Sequence, residues 1–232
     1  MLLEATFVSP LFFGGSMISD DEAWYAYPHH HNWFNKLWVS ERLGYMCGPS
    51  GIPPKKSSHY IVRPIYNLSG MGVGAEFKYI QQDDASKVPP GYFWQEIFLG
   101  KHYSVTYEFV HDIRPYWKPI SSFEGVRLGT SLWRFQKWTR SDYYPEVPKI
   151  FNELSDVKKI NVEFKNNVAI EVHLRGTPDP DYDECIPIWD SMQKDVDKYL
   201  DIGYSYIESF DNADGFLQTP RIGFVVRNFD DK

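Results

Sequence analysis

The stretch of sequence that decides the fold is NVEFKNNVAIEVHLR, at residues 161–175. Polar and apolar residues alternate on both sides of its two central asparagines, and this pattern predicts a β-hairpin. Alternation places Glu171, His173 and Arg175 on one face of the second strand, and the turn brings Glu163 opposite that group. Two carboxylates that converge on one face repel each other unless a cation lies between them. Oxygen ligands of this kind suit a magnesium ion that carries nucleotide phosphates, whereas a solvated face with scattered charges is the alternative.

A second motif begins with IVRP at residues 61–64 and continues with SGMGVG at residues 69–74. A strand that ends in a cation and leads into a glycine-rich hairpin can bind phosphate, because glycine lets backbone N–H groups approach the oxygens closely. The spacing matches neither the P-loop nor the dinucleotide-binding fingerprint, and a plain turn between two strands is the alternative. The predicted phosphate contacts are Arg63, Ser69, Gly70, Met71 and Gly72.

A third motif, YFWQEIFLG, occupies residues 92–100. An apolar strand that runs into an exposed linker can hold adenine, because the linker backbone pairs with the edge of the base while aromatic side chains cover its faces. A plain core hairpin is the alternative. The predicted contacts to the base are Gln95, Glu96, Ile97, Phe98 and Leu99.

In order and spacing, these motifs resemble the ATP-grasp superfamily, a group of carboxylate–amine ligases and related kinases. The resemblance runs from about Asn35 to Arg175. It implies an α+β fold in which two lobes of antiparallel sheet, with helices, clamp ATP. The implied parts are an N-terminal segment with the opening helix at 1–58, a small lobe with the glycine loop and adenine hinge at 59–115, and a large lobe with the magnesium-binding hairpin at 116–232.

The resemblance also implies a reaction, in which ATP phosphorylates a carboxylate and an amine or similar nucleophile then displaces phosphate from the acyl-phosphate. At the positions that match the family's metal-binding hairpin stand Glu163, Glu171 and His173, which implies that they hold Mg²⁺.

The predicted catalytic residues are the cations Arg127, Arg134 and Arg175. A cation can stabilise a phosphoryl group or an acyl-phosphate during transfer. For Arg127 and Arg134, an ion-paired surface is the alternative.

Three features depart from the family pattern. Arg63 stands where the family usually has lysine, and its guanidinium keeps the charge and can grip phosphate. His173 stands where asparagine is typical, and because imidazole is a poor magnesium ligand, a contact to phosphate or substrate is the alternative. The usual N-terminal substrate domain is nearly absent, which leaves the acid and the amine unidentified. An ATP-binding pseudoenzyme or sensor and a small-molecule kinase on the same fold are the alternatives to a ligase.

Composition narrows the classes of partner. The net charge of −7 and the scattered lysines and arginines argue against nucleic-acid binding. Two cysteines without a close pair indicate no disulfide framework, and no apolar run reaches the roughly 20 residues that span a membrane. We therefore expect a cytoplasmic protein whose partners are a small-molecule acid and an amine, with no membrane; a homo-oligomer is compatible with the sequence. The three histidines at 29–31 are interpreted as a solvated loop, with metal binding as the alternative.

Overall fold

The computed structural model describes residues 18–66, 74–84, 86–129, 132, 134–211 and 220–229. Over these residues the chain forms two antiparallel sheets, of four and of eight strands, together with short helices. The predicted α+β class with two lobes of antiparallel sheet is therefore confirmed. None of the helices in these ranges is both long enough and apolar enough to cross a membrane.

The small sheet contains four strands: β1 (Cys47–Pro49), β2 (Ser58–Pro64), β3 (Glu76–Ile80) and β4 (Tyr92–Gln95). Their order is β1-β4-β2-β3. Apolar residues of these strands bury one face of the sheet, where Tyr60, Val62 and Trp94 pack in one cluster with Ile80 and Val88. The other face is left to line a cleft, described below.

The large sheet contains eight strands: β5 (His102–Val110), β6 (Tyr116–Arg127), β7 (Phe135–Arg140), β8 (Lys159–Lys165), β9 (Val168–His173), β10 (Glu184–Trp189), β11 (Ser205–Asp211) and β12 (Arg221–Arg227). Their order is β11-β12-β10-β7-β6-β5-β8-β9. Strands β8 and β9 are the hairpin that the alternating pattern predicted, and Glu163 lies directly opposite Glu171. Asn166 in the turn has a φ of 50°, a left-handed conformation that asparagine tolerates.

The helical segments are α1 (Asp20–Ala26), a 3-10 helix (Pro28–Phe34), α2 (Lys36–Arg42), two further 3-10 helices (Lys149–Leu154 and Asp190–Asp195) and α3 (Val196–Leu200). Residues of the first three and of Lys149–Leu154 share one apolar core with the large sheet, in which Trp33, Phe151 and Val162 are buried. Helix α1 begins with a capping box, because the Ser19 hydroxyl accepts from the Glu22 N–H and the Glu22 carboxylate accepts from the Ser19 N–H. This cap fixes the first turn of α1, which carries Asp20 into the core.

The boundary between the lobes differs from the predicted one. The segment predicted as the small lobe, 59–115, includes β5, but β5 pairs along its length with β6 and β8 and therefore belongs to the large sheet. The small sheet also begins earlier than residue 59, at β1.

Two strands of the large sheet run against their local sequence signals. Prolines at 115 and 119 predict a turn, yet β6 spans 12 residues. Pro119 lies opposite Tyr107 beside a β-bulge, in the part of β6 that pairs with β5 and not with β7, so its missing N–H interrupts no ladder on the β7 side. The helical spacing of apolar residues over 187–200 predicts one helix, but the chain forms β10 first and short helices afterwards.

Candidate functional site

A cleft of about 420 Å³ opens between the two sheets. Both sheets contribute to its walls, and so does the linker that joins β4 to β5. The lining residues are Ile61, Arg63, Phe77, Gln95, Glu96, Ile97, Phe98, Leu99, Gly100, Arg127, Gly129, Leu132, Lys165 and Ile170. The cleft is therefore apolar over much of its wall and carries a small number of cations, which is the composition of a site for an anion with a flat apolar group.

The linker at 96–100 provides one wall of the cleft. At its start, the Glu96 N–H donates to the Met46 carbonyl at 2.9 Å, and the Glu96 carboxylate accepts from the Met46 N–H at 2.7 Å. The next three residues, 97–99, lie outside both sheets and make no backbone hydrogen bond to another described residue. Their N–H and C=O groups therefore remain available to a ligand. The Tyr45 ring packs against the Phe98 ring at 4.6 Å and holds this side chain in place.

Two arginines in the cleft wall, buried Arg63 and half-buried Arg127, are incompletely hydrogen-bonded. Arg63 donates from Nη2 to the Gln95 side-chain oxygen at 2.8 Å and to the Ile170 carbonyl at 3.0 Å. The Nη2 atom of Arg127 lies 3.3 Å from Nδ1 of His102. Among the described residues, neither Nε of Arg63 nor Nη1 of Arg127 has a hydrogen-bond partner, although both atoms are buried. A buried charged donor without a partner is costly, and an anionic ligand would supply the missing acceptors.

Lys165 is the third cation of the cleft and stands at the end of β8. Burial, helped by the nearby Arg127 charge, lowers the pKa of Lys165 to about 8. A binding anion would favour the charged ammonium form.

Basic side chains from other elements lie beside both carboxylates of the β8–β9 hairpin. Glu171 lies 2.6 Å from Nζ of Lys36 on α2 and 3.8 Å from Nη1 of Arg63. Glu163 lies 3.1 Å from Nε2 of His102, and burial lowers the pKa of this imidazole below its usual value. Burial would raise the pKa of Glu163, but its contact with His102 and the nearby His173 and Arg127 outweigh burial and hold the pKa below its ordinary value. The lowered pKa of Glu163 favours its ionised form, the form in which a carboxylate binds a cation.

His173 is placed differently from these glutamates. Its Nδ1 lies 3.1 Å from the Asp20 carboxylate, and Asp20 also accepts from Nη2 of Arg175 at 2.8 Å. Burial opposes the charged imidazole, but Asp20 raises the pKa of His173 above its usual value. Burial also opposes the Asp20 carboxylate, yet His173 and Arg175 lower its pKa. Nε2 on the other side of the ring lies 3.6 Å from the Glu171 carboxylate, so His173 stands between Asp20 and a predicted metal ligand, and its own assignment as a metal ligand stays a prediction.

The remaining predicted residues divide into three groups. The cleft brings together Arg63, Arg127, Gln95 at the end of β4 and the linker residues Glu96, Ile97, Phe98 and Leu99. Arg134 and Arg175 do not line it: the Arg134 guanidinium stacks over Trp189 at 5.0 Å, and Arg175 is bound to Asp20. The phosphate contacts predicted at Ser69, Gly70, Met71 and Gly72 lie outside the described residues.

Sequence reasoning missed four polar residues of this region: Asp20, Lys36, His102 and Lys165. Lys165 could have been found, because it stands two residues after Glu163 and therefore on the same face of the strand. Lys36 and His102 flank motifs that were recognised, but their contacts depend on the packing of α2 and β5 beside the hairpin. Asp20 has no local signal at all, since its partners lie more than 150 residues further along the chain.

The sequence matches no protein-family model and no curated protein, whereas solved structures do resemble the fold. One is N5-carboxyaminoimidazole synthetase from Staphylococcus aureus, complexed with ADP. The TM-score is 0.54 and the sequence identity 11%, and the match covers 88% of this chain and 70% of that one. Another is N5-carboxyaminoimidazole synthase from Aspergillus clavatus, in complex with ADP and a ribonucleotide. The TM-score is 0.53 and the sequence identity 10%, and the match covers 92% of this chain and 75% of that one.

An L-amino acid ligase from Bacillus licheniformis is similar at a TM-score of 0.40 and 12% identity, over 62% of this chain and 41% of that one. The chain therefore spans less than half of that ligase. The predicted resemblance to ATP-grasp proteins is confirmed at the level of the fold.

Proposed function

We propose that this chain, built on the ATP-grasp fold, binds ATP in the cleft between its two sheets and uses it to activate a carboxylate for attack by an amine or similar nucleophile. The observation that carries the proposal is the pair of buried, unsatisfied guanidinium atoms of Arg63 and Arg127 in the wall of that cleft. They call for an anion, and the linker beside them offers unpaired backbone groups to the edge of a base. Both similar synthetases were solved with ADP, which supports a nucleotide as the occupant.

Each part of the cleft has a task in this proposal. The backbone of 97–99 pairs with the edge of adenine, and Phe98 and the aliphatic side chains Ile61 and Ile170 cover its faces. Arg63, Arg127 and Lys165 bind the phosphates, whose charge is spread over several oxygens. Catalysis then rests on positioning and on neutralising charge, as phosphoryl transfer requires.

Magnesium is the metal that the ATP-grasp fold implies. Glu163 and Glu171 lie opposite each other and offer carboxylate oxygens, the ligands that magnesium prefers, whereas Nδ1 of His173 faces Asp20. A bound magnesium ion would supply charge neutralisation at the phosphate oxygens. Lys36, Arg63 and His102 hold the two carboxylates in place until then.

The proposed reaction has two steps. An oxygen of the substrate carboxylate attacks the γ-phosphorus of ATP, the bond from that phosphorus to the bridging oxygen breaks, and ADP leaves. The amine then attacks the carbonyl carbon of the acyl-phosphate, phosphate leaves, and the amine nitrogen loses its proton as the amide forms.

A nucleotide-binding module without turnover is the second candidate function. The observation that favours it is the engagement of Arg175 by Asp20 and of Glu171 by Lys36, which occupies groups that a ligase of this family would present to its substrates. A small-molecule kinase on the same fold would instead release ADP together with a phosphorylated product.

The first experiment measures ATP binding and the second measures products. At an ATP concentration 100 times the dissociation constant, binding should stabilise the fold by about 2.7 kcal/mol, provided that magnesium is present. A melting temperature that does not change over a magnesium–ATP titration contradicts the proposal. A screen of acid and amine pools for ADP release then separates ligase, kinase and non-catalytic module by their products: amide, phosphorylated compound or none.

A further inference from the structure

A second group of charged side chains lies outside the cleft. It consists of His29 and His30, on the 3-10 helix that follows α1, and Asp156, just after the 3-10 helix Lys149–Leu154. One ligand atom from each of the three residues lies within 4.8 Å of the others. The reaction proposed above uses none of them.

The two imidazoles converge on one carboxylate. Nε2 of His29 lies 2.7 Å from one carboxylate oxygen of Asp156, and Nε2 of His30 lies 2.7 Å from the other. The backbone makes this possible: His30 has φ −107° and ψ 15°, which interrupts the 3-10 helix and brings the two rings to 4.3 Å. Neighbouring residues on a regular helix would point in different directions.

From this geometry we propose that His29, His30 and Asp156 bind a divalent transition-metal ion of the zinc class. Two imidazole nitrogens and one carboxylate oxygen form a ligand set that zinc uses, with water in the fourth position. Ligand atoms around tetrahedral zinc lie about 3.4 Å apart, from bond lengths near 2.1 Å, and one ligand atom from each of the three residues already lies within 4.8 Å of the others, so small side-chain movements suffice. The side chains of His29 and Asp156 are 60% and 51% exposed, which gives them room to move and gives the ion a path in.

The chemistry of the ligands also sets which ion binds. Imidazole suits zinc, copper and nickel, whereas magnesium and calcium prefer sites made only of oxygen. This group is therefore distinct in selectivity from the glutamate pair of the hairpin, and zinc rather than magnesium should occupy it.

A metal at this position would join two parts of the chain that already pack together. Trp33, on the same 3-10 helix as the histidines, contacts the ring of Phe151 at 5.3 Å. Arg42 of α2 forms an ion pair with Glu153. The ion would thus fasten the N-terminal helices to the segment that ends at Asp156 and stabilise the folded state.

The test is a zinc titration of the full chain without a polyhistidine tag, treated with chelator and free of nucleotide, followed by calorimetry. Wild type should bind zinc saturably, and zinc should raise its melting temperature. His29→Ala and Asp156→Asn should each weaken binding at this site at least tenfold and remove the rise. His29 is mostly exposed, so its variant should fold even if a change at buried His30 does not. Cobalt provides a second readout, because a tetrahedral site should give visible absorption in wild type and lose it in both variants.

Two matched controls make the outcome decisive. His31→Ala alters the next histidine, whose ring stacks on Trp24 at 3.6 Å and whose Nε2 faces the Trp24 carbonyl instead of Asp156. Glu171→Gln alters the hairpin site. Both should retain the zinc binding that His29→Ala loses. The proposal is overturned if wild type shows no saturable zinc binding, if His29→Ala and Asp156→Asn bind as wild type does, or if the controls lose as much affinity as these two variants.

Discussion

Asp20 and His173 form a buried ion pair between residues 153 positions apart in the chain, with 3.1 Å from the imidazole Nδ1 to the carboxylate. Arg175 joins the same carboxylate at 2.8 Å. Asp20 is 5% exposed, so one anion in a nearly dry position is shared by two cations. Removing one member of such a group leaves the others buried and uncompensated, which costs more than an exposed pair contributes.

The first prediction follows from this group. Asp20→Asn should lower the free energy of unfolding by about 3 kcal/mol, because two buried cations lose their counter-charge. Urea unfolding at pH 7 measures the change. Asp21→Asn, at the exposed next position on α1, is the control and should stay within about 0.5 kcal/mol of wild type. Equal stabilities of the two variants would show that the Asp20 contacts contribute nothing.

The second prediction concerns the paired glutamates. Glu171→Gln keeps the size of the side chain but removes its charge. If Glu171 helps to hold magnesium at the phosphates, a loss of about 3 kcal/mol of transition-state stabilisation slows ADP release roughly a hundredfold. Glu163→Gln should behave alike, and the double variant should lose less than the sum, since both residues serve one ion.

The structure also changes what this substitution should do to stability and which control suits it. Relief of repulsion between two carboxylates is not expected, because Lys36 lies 2.6 Å from Glu171 and would lose its partner. We therefore expect Glu171→Gln to fold with a reduced melting temperature. Glu153→Gln, on an exposed ion pair with Arg42, is the appropriate control. Wild-type turnover of Glu171→Gln at limiting magnesium would rule out its assignment to the metal site.

The third prediction tests the cleft itself. Ile61 is half-buried and lines the cleft on β2, so Ile61→Trp should place an indole where the nucleotide binds. ATP affinity should fall at least tenfold, about 1.4 kcal/mol, while the melting temperature without ligand stays close to wild type. Calorimetric titration with ATP and magnesium measures the ATP affinity. Tyr79→Trp, an exposed position on β3 outside the cleft lining, should bind ATP normally; unchanged binding in Ile61→Trp would place the nucleotide elsewhere.

The fourth prediction is a pH dependence of stability at Glu184, which is 5% exposed on β10. Lys137 and Arg227 each contact its carboxylate, at 2.7 and 2.8 Å, and Tyr204 donates a hydrogen bond to it. Burial would raise the pKa of Glu184, but these contacts outweigh it and lower the pKa in the folded state. The stability they contribute is therefore present above the unfolded pKa of about 4.3 and is lost as the pH falls through the lower folded value.

Glu184→Gln should accordingly lower the free energy of unfolding by about 3 kcal/mol at pH 7, and its difference from wild type should shrink below about pH 4. Unfolding in urea between pH 3 and pH 7 measures both trends, with the exposed Glu208→Gln on β11 as the control. A difference that stays constant over this range would mean that the charge of Glu184 is not what stabilises the sheet.

How far the sequence predicts this molecule depends on how local each signal is. The hairpin of β8 and β9 follows from alternation over 15 residues, and the linker residues 95–99 reach the cleft together because they are consecutive. Strand β10 has no such signal, because all six of its residues are buried and a strand buried on both faces does not alternate. Likewise, β6 contains Pro119, which stands where β6 pairs with β5 and not with β7.

The same distinction applies to the candidate site. The sequence identifies which carboxylates and arginines could act, but their partners come from distant elements. Glu171 finds Lys36, 135 positions earlier, and His173 finds Asp20, and both contacts exist only after α1 and α2 have packed on the large sheet. For the same reason, the motif suggests a metal ligand at His173 but gives no sign that packing places an aspartate beside it.

The reciprocal bonds between Glu96 and Met46 have a mechanical consequence. The chain enters the small sheet through the residues before Cys47 and leaves it through those after Gln95, so both crossings pass this point. We expect two crossings that are hydrogen-bonded side by side to act as a single hinge, about which the small sheet would rotate. Opening would separate Arg63 from the Ile170 carbonyl on the opposite wall. Arg63, which we propose binds phosphate, therefore also holds the small sheet in the closed position.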